Sequence, residues 1–410
     1  MMGMGEFQQG ARPLAAALIG TMCGAMTLTT YSQGFFVGPV TEEFGWSIAQ
    51  FFLGFTVMSL LGLFAAPLVG SLAQKYGIRT LGIAGLIGHA LGYILLSFNP
   101  NSLPLWYLTW ALISFLAAGS LPIIWTSVLN GWFVKNRGKA VGITMAGTGI
   151  GAFLLPPIVE FLIADYGWRF AYRAIGAGAM LIALPFVFFW FQEKPSGPVE
   201  GTENPAQSWG LTRKEALRTG KFWTLAVVLL LTVFVVVGLL ANFEQILSEK
   251  GYERGTIAIF AALLGISVIV ARVGVGALVD RFWAPAVAAV AFIIPIMGIL
   301  LIIYAPPSMA VGVGIAVAIG IASGAELDLL AYLTSKYFGP RNYTEIFGGI
   351  FAMFAIGAGV APPIFGAMAE STGSYHAPLY LGMGCLAMTI VLYLSLGRYP
   401  DEALREGRVD

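Results

Sequence analysis

The sequence predicts an all-α polytopic membrane protein, with twelve transmembrane helices in two pseudo-symmetric six-helix halves. Three observations predict it. Of 410 residues, 58% are hydrophobic and 10% are charged, outside the range of soluble globular chains. Apolar runs of about 20 residues or more, the length a helix needs to cross a bilayer, recur along the whole chain. The chain also repeats itself at an offset of 206 residues. The alternating ten-residue segments of a membrane β-barrel do not occur.

The apolar runs place spans 1 to 6 at about 12–40, 47–73, 80–98, 104–130, 139–164 and 169–192. Spans 7 to 12 follow at about 222–247, 255–280, 284–304, 308–336, 345–370 and 376–397. The first run is too long for a signal-peptide core and lacks a clear cleavage site, so it reads as a retained span. The longest polar stretch, 193–221, carries Pro195, Pro198 and Pro205 and reads as a linker between halves 1–192 and 222–410. At the 206-residue offset Gly45 matches Gly251, Gly70 matches Gly276, Gly151 matches Gly357, Pro156 matches Pro362 and Gly167 matches Gly373. Two parallel repeats of this kind put a transport site near the midplane, between the halves.

Basic residues set the expected orientation. With both termini cytoplasmic, 17 of the 22 Lys and Arg residues fall on the cytoplasmic side and only Arg169, Arg173, Lys250 and Arg254 on the other. That arrangement suits a multi-pass protein of the plasma or bacterial inner membrane. The remaining basic residue is Arg272. The net charge of +1 gives no reason to expect nucleic acid as a partner. Cys23 and Cys385 both lie in apolar spans and read as small packing residues. There is no phosphate loop, metal cluster or nucleophile elbow, so neither an enzyme nor a cofactor is expected.

After span 2 comes Gly70-Ser-Leu-Ala-Gln74-Lys75-Tyr-Gly-Ile-Arg79, and after span 8 comes Gly276-Ala-Leu-Val-Asp280-Arg281. These loops resemble the inter-helix signature of the major facilitator superfamily, with Gln74 where an Asp is usual. The resemblance implies gating roles for Gln74, Lys75, Arg79, Asp280 and Arg281, with Arg137 at the start of span 5. Within the superfamily, Glu43-Phe-Gly-Trp-Ser47 and Trp132-Phe-Val-Lys135-Asn-Arg137-Gly-Lys-Ala140 resemble the monocarboxylate transporter and oxalate/formate antiporter group. In those families an arginine in span 8 binds the substrate carboxylate, and Arg272 matches it. Two departures matter. The monocarboxylate transporters carry an Asp one turn before that arginine, where this chain has Val268. The oxalate group carries a lysine in span 11, where 346–368 holds no basic residue. A substrate with a single carboxylate therefore fits better than oxalate.

A cation at mid-membrane depth is unfavourable by roughly 2.5–3.5 kcal/mol on insertion scales. Arg272 is thus expected to face the protein interior, either as a bidentate ligand for a carboxylate or in a fixed ion pair with an acidic neighbour. Glu326 and Asp328 share span 10. Residues two apart point about 200° from each other on a helix, so at most one faces a central cavity. One of them, with Asp328 favoured, is read as the proton-coupling group and the other as an anchor. Tyr332 lies one turn from Asp328, shares its face and is a candidate substrate contact, as is Tyr31 of span 1. Trp125, Met145, Phe351 and Phe354 fall on spans that line the cavity in the superfamily and are further candidates, packing being the bland alternative. Asn242, Glu244 and Gln245 read as an outer vestibule or gate. His89 reads as a packed histidine, and Glu160 as a structural partner of Arg169 or Arg173.

These residues predict a secondary transporter that moves a monocarboxylate with a proton by alternating access, as a monomer in the bilayer. Carboxylate-for-carboxylate exchange without a proton, a membrane sensor, and proton-driven efflux of apolar compounds are the readings that stay open beside it.

Overall fold

The protein is described here by a computed structural model covering residues 5–133, 136–193 and 209–400, apart from the side chains of Ala66, Pro67, Gly70, Gln74 and Asn130. The gating role expected of Gln74, Lys135 in the span-5 motif, and most of the linker 193–221 therefore lie outside the described residues.

The described residues form helices and no strand. Ten helical segments are long and apolar enough to cross a membrane. We label α1 (Ala11–Phe44), α2 (Ile48–Tyr76) and α3 (Ile78–Ser97). Helix α4 (Leu103–Leu116) is broken by a 3-10 turn at Ala118–Ser120 and resumes at Pro122–Ser127. The segment Arg137–Trp190 is 54 residues long and bends at Gly167, dividing it into α5 before the bend and α6 after it. The second half holds α7 (Gly220–Ala241), α8 (Arg254–Val279), α9 (Ala284–Tyr304), α10 (Met309–Phe338), α11 (Tyr343–Thr372) and α12 (His376–Ser395). Divided in this way, the chain traces the twelve spans that the apolar runs place.

The repeat has a backbone counterpart. Gly45 and Gly251 have φ of 70° and 96°, and Gly167 and Gly373 have φ of 77° and 72°. Each pair sits at the 206-residue offset, and each glycine ends a helix or turns the chain in a conformation that a Cβ disfavours. Polar side chains cap the starts of four of the labelled helices. Ser47 Oγ accepts from the Gln50 N–H at 3.0 Å while Gln50 Oε1 accepts from the Ser47 N–H at 2.9 Å, a reciprocal box opening α2. Ser102, Thr219 and Ser308 cap α4, α7 and α10 in the simpler way.

Inside the first half α1 packs on α5, α2 on α4 and α3 on α6. Inside the second, α7 packs on α11, α8 on α10, and α9 and α12 lie behind them. The halves meet through α5 with α8, α2 with α11 and α1 with α7. These contacts depend on glycine, as close helix pairs in membranes do. A Cβ on Gly265 of α8 would lie 2.3 Å from the backbone nitrogen of Phe153 on α5.

Among the described residues, several hydrogen bonds join the halves between the middle of the bundle and the end bearing Gly45 and Gly251. Thr56 Oγ1 donates to the Gly359 carbonyl at 2.6 Å, the Ile48 N–H donates to Glu370 Oε1 at 2.5 Å, and Gln245 Nε2 donates to the Gly34 carbonyl at 2.8 Å. At the opposite end, which carries Gly77 and Asp280, Arg79 instead stacks on Phe188 of its own half, 4.8 Å from the ring centre. Asp280, Arg281 and Arg137 are exposed there. The bundle is thus pinned shut at the first end.

Candidate functional site

Arg272 lies two turns from the end of α8, on the side facing α10. The approach of these helices rests on Gly324, where a Cβ would come within 2.5 Å of the Val268 carbonyl oxygen. One turn beyond Gly324, Asp328 points back across the interface. Arg272 Nη1 stands 3.5 Å from Asp328 Oδ1, with side-chain exposures of 13% and 39%. That distance is an ion-pair contact at the limit of a hydrogen bond. Arg272 Nε is buried without a hydrogen-bond partner, as is Glu326 Oε2. The guanidinium is close enough for its charge to act on Glu326 and on Tyr31.

The two carboxyl groups of α10 divide as their angular separation requires. Glu326 is 5% exposed and lies within the second half, whereas Asp328 is the half-exposed one. Val268, which occupies the position of the family's usual acid, is fully buried against α10. The acid partner of Arg272 therefore comes from the neighbouring helix rather than from one turn earlier on α8. A guanidinium so held keeps donors for a second carboxylate, and a carboxylate that displaces Asp328 would meet a planar fork of matching geometry.

Above this pair, Tyr31 of α1 reaches Ser323 of α10, with 3.4 Å between the hydroxyl oxygens, and so joins the halves. Met145 is half-buried on α5, and Phe354 is half-buried on α11 within a stack of rings. Two expected substrate contacts are corrected. Trp125 is fully buried inside the first half: its Nε1 donates to the Ser120 carbonyl at 2.9 Å, its ring meets Phe191, and Gly20 and Gly82 press on its face. It packs the break in α4 and has no face toward a cavity. Tyr332 is half-buried under the Lys336 ammonium, 5.4 Å from the ring centre, and within electrostatic reach of Asp280. That places it toward the Asp280 end and away from Arg272. His89 is buried edge-on to Tyr93, with Nε2 unpartnered.

The shut end is built around a residue that sequence reasoning treated only as a loop charge. Arg254 Nε lies 3.4 Å from Glu160 Oε2 of the first half and 3.3 Å from Glu244 Oε1 of its own, and Nη2 donates to the Phe35 carbonyl at 3.0 Å. Glu160 therefore pairs across the halves. Arg169, its expected partner, instead binds Glu43 at 2.5 Å. Glu244 and Gln245 belong to this gate. Asn242 does not: it is fully buried, donates to the Gly238 carbonyl and accepts from Tyr375 at 3.0 Å, tying together elements of the second half. A void of about 20 Å³, lined by Tyr31, Phe35, Pro156, Glu244 and Leu264 among others, lies beneath Arg254. It is about the size of one water molecule.

The family model for the Major Facilitator Superfamily matches residues 17–348. The chain belongs to the major facilitator superfamily. This transporter is 26% identical to an uncharacterized 38 kDa protein in the 23S RNA operon of Thermoproteus tenax, over 90% of this chain and 92% of that one. It is 25% identical to monocarboxylate transporter 13 of Bos taurus, over 86% and 84% of the two chains. It is 23% identical to the uncharacterized MFS-type transporter YhjX of Escherichia coli K12, over 83% and 85%. In three dimensions it resembles a bacterial homolog of the human lysosomal transporter Spinster, with a TM-score of 0.69 and 18% identity over 96% and 95% of the chains. This superfamily member is accordingly a multi-pass membrane transporter, of a family whose members are not enzymes.

Proposed function

We propose that this transporter carries a monocarboxylate together with a proton, by alternating access. The observation that carries the reading is the Arg272–Asp328 pair: a long ion-pair contact, a guanidinium with an unused buried donor, and an acid supplied by a different helix. Relatives named as monocarboxylate transporters along most of the chain support the substrate class.

The mechanism follows from charge balance. An incoming carboxylate takes the fork of Arg272 and releases Asp328. A carboxylate left without its cation at this depth is strongly disfavoured, so Asp328 takes up a proton. The loaded carrier then holds one guanidinium, one substrate carboxylate and one neutral acid, and crosses between states with its charges paired. Unloading reverses the sequence. The exchange of one anion for another at Arg272 is what couples a single proton to a single substrate. With the termini cytoplasmic in a plasma or bacterial inner membrane, as the basic residues favour, the end closed by Arg254 is the outer one, which supports an inward-facing reading.

The test is uptake into proteoliposomes with an acid-outside gradient. Gradient-driven accumulation of a monocarboxylate, lost in Arg272→Ala, supports the proposal. Accumulation that survives in Arg272→Ala, or counterflow of carboxylates with no pH effect in the unaltered protein, would overturn the ligand role or the proton step respectively.

A further inference from the structure

A continuous stack of four rings runs up α11. Tyr343 and Phe347 are 5.5 Å apart between ring centres and 18° from parallel, Phe347 and Phe351 are 5.8 Å and 22°, and Phe351 and Phe354 are 5.1 Å and 5°. Spacings of three and four residues put these rings on one face of the helix. None of the four is fully buried, and Phe351 is 36% exposed. An apolar core does not require parallel rings, and most aromatic pairs in this chain are tilted or edge-on.

The face that carries the stack can be placed. Gly357 packs on Leu230 and Phe234 of α7, and Gly359 packs on Thr56 and Ser59 of α2. At about 100° per residue, all four rings fall in the sector between those two contacts. Ala358, Ala361 and Phe365, all buried, fall in the same sector, and its bounds are α7 of one half and α2 of the other, so the sector faces the space between the halves. The depth also matches. At about 1.5 Å per residue, Phe351 and Phe354 lie roughly 12 and 16 Å above the start of α11, and Arg272 lies roughly 10 Å above the end of α8. Both helix termini are at the Asp280 end of the bundle. Arg272, the one cation at that depth among the described residues, and the deepest rings of the stack are therefore on two helices that border the space between the halves.

We infer that the substrate carries an aromatic ring as well as its carboxylate, and that Phe351 and Phe354 select for that ring by extending the α11 stack to it. The inference rests on the carboxylate reading of Arg272. A near-parallel offset pair leaves the outer face of its last ring open to another π-system, and parallel-displaced stacking discriminates an aryl ring from a saturated ring of similar size. Tyr343 and Phe347 continue the same surface toward the Asp280 end. No base accompanies the rings on α11, so this wall holds the uncharged end of the ligand.

The experiment compares 3-phenylpropionate with 3-cyclohexylpropionate, measuring binding to the full chain in lipid nanodiscs. The two share carboxylate and spacer and differ in the ring. The phenyl acid should bind roughly three- to tenfold more tightly. Phe354→Leu should abolish the difference by weakening only the phenyl acid, and Phe354→Tyr, which keeps the ring, should retain the preference. Equal binding of the two acids to the unaltered protein, or equal weakening of both in Phe354→Leu, would overturn the aromatic selection while leaving the carboxylate reading intact. Binding of both acids to Arg272→Gln at unaltered strength would instead sink the carboxylate reading, and with it this inference.

Discussion

Arg254 Nε lies 3.4 Å from Glu160 Oε2, and this contact binds the second half of the transporter to the first at its shut end. The same side chain donates to the Phe35 carbonyl of α1 and touches Glu244, so one residue draws α1, α5 and α8 together. Glu160 and Glu244 are largely buried, and neither has another cation in the described ion pairs. Arg254→Ala removes the cross-half contacts and leaves two buried carboxylates facing each other. The expected result is a shift toward opening of this end by about 1–2 kcal/mol, or roughly five- to thirtyfold in population. Distances between spin labels placed on the α1–α2 and α7–α8 turns check it. An unchanged distance distribution in Arg254→Ala would show that the gate is held elsewhere.

Asp328→Asn separates binding from coupling. The amide no longer competes as a charge for Arg272, so carboxylate affinity should hold or rise. The group that would accept a proton is gone, so acid-driven accumulation should fall to the level of facilitated exchange. Substrate binding measured beside uptake in proteoliposomes reads both. Loss of binding in Asp328→Asn would mean instead that the acid only positions the guanidinium.

Arg272→Lys keeps the charge and loses the planar fork. If the carboxylate is held bidentately, affinity should drop about tenfold or more, since hydrogen bonds to charged groups are worth about 1.5–3 kcal/mol. The pH dependence of uptake should survive in weakened form. Binding isotherms at fixed pH measure the first and flux at two external pH values the second.

Much of the fold was legible because it is written in composition and spacing. The 206-residue repeat picks out Gly45, Gly167, Gly251 and Gly373, and all four have the positive φ that makes glycine necessary. The importance of Arg272 was legible from cost alone, as the one charge in a long apolar run. Its partner was half legible: the pair of acids in α10 was visible, but which one faces Arg272 depends on how α10 rotates against α8 through Gly324. The break in α4 was not legible, because it is made by a tertiary contact. Ser120 Oγ accepts from the Ala25 N–H at 3.2 Å, next to Cys23 and Gly24, where α1 is interrupted, and the lone Gly24 and Gly119 give little local warning. The same holds for Trp125, whose burial follows from that crossing. The Arg254–Glu160 pair joins residues 94 positions apart in different halves, and nearer arginines offered a simpler match.

Glu326 tests whether the buried acid of α10 is a bystander to coupling. It is 5% exposed with one carboxyl oxygen unpartnered, while Asp328 holds the contact to Arg272. The more exposed Asp328 is therefore the acid to which the proposed proton step is given. Glu326→Gln preserves size and removes titration. It should leave acid-driven uptake within about twofold of the unaltered protein. Melting should also be little altered, because an amide is less disfavoured than a charge in the same apolar site and can still use one polar atom. Measured side by side in proteoliposomes, Glu326→Gln should keep its pH dependence and Asp328→Asn should lose it. The reverse pattern would move the proton site from the exposed acid to the buried one.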